Sequence, residues 1–138
     1  MMYPAEIVKP MKDELINIGF QELLSPDAVD NGLSKPGTTL IVVNSVCGCA
    51  AANARPAVRL SLKNEKTPDN LYTVFAGVDK DATDAARAKM IPFPPSSPSL
   101  ALFKDGELVH MIERHHIEGR SAEIISENLI GAYNEFCN

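Results

Sequence analysis

The run Thr38-Thr39-Leu40-Ile41-Val42-Val43-Asn44, followed at once by Ser45-Val46-Cys47-Gly48-Cys49-Ala50-Ala51-Ala52-Asn53-Ala54, decides how the chain is read. Its first half is β-branched and apolar without alternation, the pattern of a strand covered on both faces. Lys35-Pro36-Gly37 breaks the chain ahead of it. The second half is rich in alanine. With Ala57, Leu60 and Leu62 further on, it predicts a helix from Cys47 to about Lys63, kinked at Pro56. Two thiols therefore fall where a buried strand gives way to a helix.

Working outward, residues 5–18 place Ile7, Met11, Leu15 and Ile18 at helical spacing before Gly19. This reads as a helix added ahead of the main fold. Residues 20–24 suit a short strand, and Ser25-Pro26-Asp27 supplies a cap, a first-position proline and an early acid for a helix to about Leu33. On the other side, residues 71–78 form a second apolar strand, and residues 79–90 a helix with acids early and Arg87 and Lys89 late, as its dipole favours. A Pro/Ser-rich loop, residues 92–98, precedes two apolar segments, 99–103 and 107–112, that flank Lys104-Asp105-Gly106 as an antiparallel hairpin. Residues 121–136 close the chain as a helix with Ile124, Ile125, Leu129, Ile130 and Tyr133 on one face. Two βαβ crossovers imply parallel strands, and the hairpin adds an antiparallel edge. The expected fold is α/β and thioredoxin-like, a central mixed sheet in the order βαβαβαββα with an added N-terminal helix.

At 138 residues and 45% apolar composition, residues 1–138 are expected to form a single thioredoxin-like domain. A net charge of −5 argues against nucleic acid as a partner, which would require clustered Lys and Arg. The first residues lack a basic stretch followed by an apolar run, and no later segment is long enough to span a bilayer, so a cytoplasmic protein without a membrane partner is expected. Three cysteines are too few for a disulfide framework. In a reducing compartment a close pair points to redox or metal chemistry.

A thiol is nucleophilic as thiolate, and a helix start lowers its pKa through free N–H groups and the positive dipole end. Cys47 holds that position and is the expected attacking group; Cys49, inside the first turn, is the expected resolving thiol. Residues i and i+2 of a helix point their Cβ atoms apart, so an internal bridge needs Cys47 outside helical geometry and is expected to be strained. That favours mixed-disulfide exchange. Two other readings compete: the pair as small buried residues, or as thiolates for Zn or Cu(I), for which no second pair is near and His110, His115 and His116 lie far along the chain. Neither a metal nor a cofactor is expected.

Pro98 is the candidate for the cis-proline that faces the cysteines in thioredoxin-like folds; with Ser97 it would present backbone to a substrate. Arg55 is read as a solvated helix residue, Arg114-His115-His116 as the cap of a strand end, and Cys137 as a mobile terminal thiol.

The run from Val43 to Pro56 closely resembles the bacilliredoxins, bacterial thioredoxin-like proteins with a CGC motif. Pro94-Pro95-Ser96-Ser97-Pro98-Ser99, Lys104-Asp105-Gly106, Arg114-His115 and Glu118-Gly119 share the resemblance, which thus covers nearly the whole chain. It implies a cytoplasmic thiol–disulfide oxidoreductase that removes a low-molecular-weight thiol, bacillithiol, from mixed disulfides on client proteins, with disulfide reductase or isomerase activity as a further capacity. By position, Cys47 would take the small thiol and Cys49 would resolve or modulate that step. The alternatives are a metal-binding protein using the CGC pair and a redox-inactive interaction module using the 92–98 loop.

Overall fold

The computed structural model describes residues 3–138. Strand β2, Thr38–Asn44, is buried along its whole length, as its unbroken apolar run requires. It divides two cores: Leu40 and Val42 face one side of the sheet, Ile41 and Val43 the other. The remaining strands are β1 (Gln21–Glu22), β3 (Asn70–Phe75), β4 (Ser99–Lys104) and β5 (Glu107–Ile112), in the spatial order β1-β3-β2-β4-β5. β2 pairs in parallel with β3 and antiparallel with β4, which pairs antiparallel with β5. The Asp-Gly turn closes that hairpin with both residues in the left-handed region, Asp105 at φ 50° and Gly106 at φ 84°.

Helices α1 (Ala5–Ile16), α3 (Arg55–Ser61) and α6 (Ala122–Phe136) contribute to the core that holds Leu40 and Val42, while α2 (Pro26–Leu33) and α4 (Lys80–Ala88) cover the opposite face. α5 (Arg114–Ile117) is a single turn after β5. Ser25 caps α2 by accepting from the Ala28 N–H at 3.1 Å, and Ser121 caps α6 by accepting from Ile124 at 3.2 Å.

Three expectations are corrected. Ile7 and Ile124, expected on apolar faces, are 50% and 55% exposed, while Val8 and Ile125 are buried. Adjacent helical residues differ by about 100° in direction, and the spacings 8-15 and 125-129-132-133 satisfy the helical period as well as those expected. The alanine-rich helix also does not simply kink at Pro56. A π-helical turn, Ala50–Ala54, precedes α3, and the Arg55 N–H bonds to the Ala50 carbonyl five residues back. This wide turn lies just ahead of Pro56, whose ring would crowd the carbonyl four residues earlier in a regular α-helix.

Candidate active site

The turn after β2 is built from below by buried polar groups. Asn44 and Ser45 are buried at the carboxyl end of the central strand. The Asn44 Oδ1 accepts from the Ser45 N–H at 2.9 Å and from Arg55 Nη1 at 2.9 Å, and its Nδ2 donates to the Met11 carbonyl of α1 at 3.1 Å. Arg55 also donates through Nη1 to the Ser45 carbonyl at 3.1 Å and through Nε to Glu14 of α1 at 2.8 Å. Expected to be solvated, Arg55 is 2% exposed. Its guanidinium ties α3, α1 and the end of β2 together under the turn. Ser45 Oγ then accepts from the Cys47 N–H at 3.2 Å, which joins this network to the cysteine.

Cys47 lies in the bend just before the helix, and Cys49 has helical φ/ψ within the first turn. Both thiols are partly exposed and free. The Cys47 carbonyl accepts from the Ala50 and Ala51 N–H groups at 3.0 and 3.2 Å, while the Cys49 N–H donates to the Cys47 Sγ at 3.4 Å. The two environments push the thiols in opposite directions. The Cys47 pKa is lowered, first by the Cys49 backbone N–H; burial opposes this, and the Cys49 thiol, the Arg114 charge and the Ala50 N–H add to the lowering. The Cys49 pKa is raised, first by burial and then by hydrogen bonding to Cys47, repulsion from its charge and the Glu118 carboxylate. Of the two thiols, Cys47 is therefore the one favoured to ionise first.

The second wall is the proline loop. The Ser97–Pro98 peptide is cis, as is Ile91–Pro92, which the sequence reading did not single out. Pro98 is buried, and Ser97 lines an open depression of about 400 Å³ together with Cys47, Ser45, Arg87 and Arg114. Arg114 begins α5 and reaches the loop: Nη1 donates to the Ser97 carbonyl at 3.3 Å and its backbone N–H to Ser96 Oγ at 3.4 Å, while Nε pairs with Glu118. Arg87 of α4 donates through Nη2 to the Ser96 carbonyl at 3.3 Å. The reading of Arg114 as a strand-end cap missed its place beside the cysteines; the one sequence signal was that Arg114-His115 belongs to the motifs carrying the family resemblance.

Among the described residues no third metal-ligating side chain joins Cys47 and Cys49. The one such group of three is Glu113, His115 and His116. Within it, His116 Nδ1 accepts from the Glu113 N–H at 3.1 Å. Cys137, expected to be mobile, is 4% exposed and packed in the core that holds Tyr133, its N–H bonded to the Tyr133 carbonyl at 2.8 Å. Burial raises its pKa.

The same architecture recurs in mitochondrial thioredoxin 3 from Saccharomyces cerevisiae, which aligns with 86% of this chain and 97% of its own at a TM-score of 0.57 and 14% identity. This architecture makes the chain a thioredoxin-fold protein, with two free thiols just past the end of the central strand. Residues 3–137 match the family described as Disulphide isomerase. A bacilliredoxin from Cytophaga hutchinsonii is 60% identical over 134 residues, spanning 97% of this chain and 99% of that one. A bacilliredoxin from Halalkalibacterium halodurans is 54% identical over 136 residues, 98% and 94% of the two chains. The chain belongs to the bacilliredoxin family.

Proposed function

We propose that the protein removes a low-molecular-weight thiol from mixed disulfides on client proteins in the cytoplasm, with Cys47 as nucleophile and Cys49 as resolving thiol. The observation that carries this reading is the opposed perturbation of the two thiols, with the Cys49 N–H directed at the Cys47 sulfur at 3.4 Å. The name shared by the relatives makes bacillithiol the small thiol of choice.

In the first step the Cys47 thiolate attacks the small-thiol sulfur of the client disulfide. That disulfide breaks, the client leaves as a thiolate that takes a proton from water, and a Cys47–small-thiol disulfide forms. The thiol–disulfide state is passed on with no net oxidation. Burial still raises the Cys49 pKa, but bonding removes the Cys47 charge that adds to it. Cys49 then deprotonates more easily, attacks the Cys47 Sγ and expels the small thiol as thiolate. The resulting Cys47–Cys49 disulfide needs two electrons from a dithiol reductant to reset. Ser97 lines the depression that holds Cys47, and the cis Ser97–Pro98 peptide is the backbone offered to the client there.

Single-turnover and multiple-turnover release of a small thiol from a capped client protein tests this. Cys47→Ser abolishes both, and Cys49→Ser keeps the first transfer but, with no other thiol supplied, retains the small thiol on Cys47 and does not release it. Release by Cys47→Ser at the parent rate would overturn the assignment.

A further inference from the structure

The depression beside Cys47 has a chemistry that exchange alone does not require. Its lining includes Tyr3, Ser45, Val46, Ala76 and Ser97 as well as Cys47, and two guanidinium groups, Arg87 and Arg114, but no carboxylate. In a chain of net charge −5, two arginines converging on one site stand against the overall charge. Each is fastened to the proline loop from a different direction, Arg87 through Nη2 to the Ser96 carbonyl at 3.3 Å and Arg114 through Nη1 to the Ser97 carbonyl at 3.3 Å. Arg87 makes no ion pair among the described residues, and its Nε is buried without a hydrogen-bond partner there. The acid one turn before it on α4, Asp84, is paired with Lys80 at 2.7 Å. Arg114 is held at Nε by Glu118, and no hydrogen bond among the described residues engages its Nη2.

An uncompensated guanidinium in a pocket lined by backbone and small side chains is matched by an anion, and its planar fork suits a carboxylate in particular. A volume of about 400 Å³ is within the range of small-molecule sites and far below a protein surface. We infer that Arg87 and Arg114 form a carboxylate-binding subsite, which seats the acidic portion of the small thiol while its sulfur is joined to Cys47 and makes the protein selective for anionic over neutral thiol caps. The inference rests on the exchange reading above and adds the substrate class to it. Arg114 has two effects here, because it also favours the Cys47 thiolate; Arg87 has only the binding one.

The test compares two caps on one client protein with a single exposed cysteine: mercaptosuccinate, which carries two carboxylates, and 2-mercaptoethanol, which carries none. Single-turnover removal is measured with Cys49→Ser protein. The ratio of the two rates is divided by the same ratio for dithiothreitol, which cancels the intrinsic reactivity of each cap and any change in the Cys47 thiolate. Charge-assisted contacts of this kind predict a normalised preference of about tenfold or more for mercaptosuccinate, falling as salt is added. Arg87→Gln lowers it, Arg87→Gln with Arg114→Gln brings it to about one, and Arg87→Lys keeps part of it. A parent ratio of about one, or a preference unchanged by Arg87→Gln in protein whose circular dichroism matches the parent, overturns the subsite. Failure to remove either cap instead overturns the assignment of Cys47 as nucleophile, and the subsite with it.

Discussion

At the scale of single residues, the site works by making two cysteines unlike. The Cys49 N–H and thiol both stabilise charge on Cys47, while burial, and then Cys47 itself, raise the Cys49 pKa. Alkylation of Cys47 by iodoacetamide is therefore expected to rise and level off at lower pH than an ordinary thiol, and Cys49 at higher pH; mass mapping of the labelled cysteine against pH checks both. Arg114→Gln moves the Cys47 profile upward, because one of the charges favouring the thiolate is gone. The sign for stability follows: a thiol with a lowered folded pKa contributes stability above its unfolded pKa that is lost as pH falls through the folded one, and Cys49 works in the opposite sense. Cys47 was legible in the sequence because strand and helix start are its chain neighbours. Arg114 was not, because it reaches the site from the far end of β5, and no local pattern says where a residue after a hairpin will point.

At the scale of elements, β2 and the hairpin were read correctly from residues that permit few alternatives. An unbroken β-branched run has to be covered on both sides, and Asp-Gly fits the left-handed turn that a two-residue hairpin requires. The faces of α1 and α6 were less determined, since neighbouring apolar residues each complete a helical stripe. Arg55 was misread for a related reason: an arginine in an alanine-rich helix gives no sign that a wide turn precedes it or that Glu14, Asn44 and the Ser45 carbonyl wait for its guanidinium. Arg55→Leu removes donors from buried acceptors under the Cys47 turn and is expected to cost about 2–3 kcal/mol, discounted for the solvent access of Glu14. Urea unfolding of parent and variant measures it, and a change below about 0.5 kcal/mol would contradict the account of the turn.

At the scale of the whole molecule, the thioredoxin-type sheet brings together groups from β2, α4, the proline loop and α5 at one end, and confines the third thiol to the core. Position near the terminus suggested mobility for Cys137, but α6 carries it into the packing around Tyr133. A thiol titration is expected to modify Cys47 and Cys49 in native protein and Cys137 only after denaturation, and fast labelling of Cys137 in the native state would contradict its burial. The central claim, that the small thiol passes through Cys47, is tested most directly by trapping it. Cys49→Ser protein is mixed with a capped client, quenched in acid and mapped by peptide mass spectrometry. The small thiol is expected on Cys47 in an amount equal to the client thiol set free; a cap that stays on the client, or leaves without appearing on Cys47, would contradict passage through Cys47.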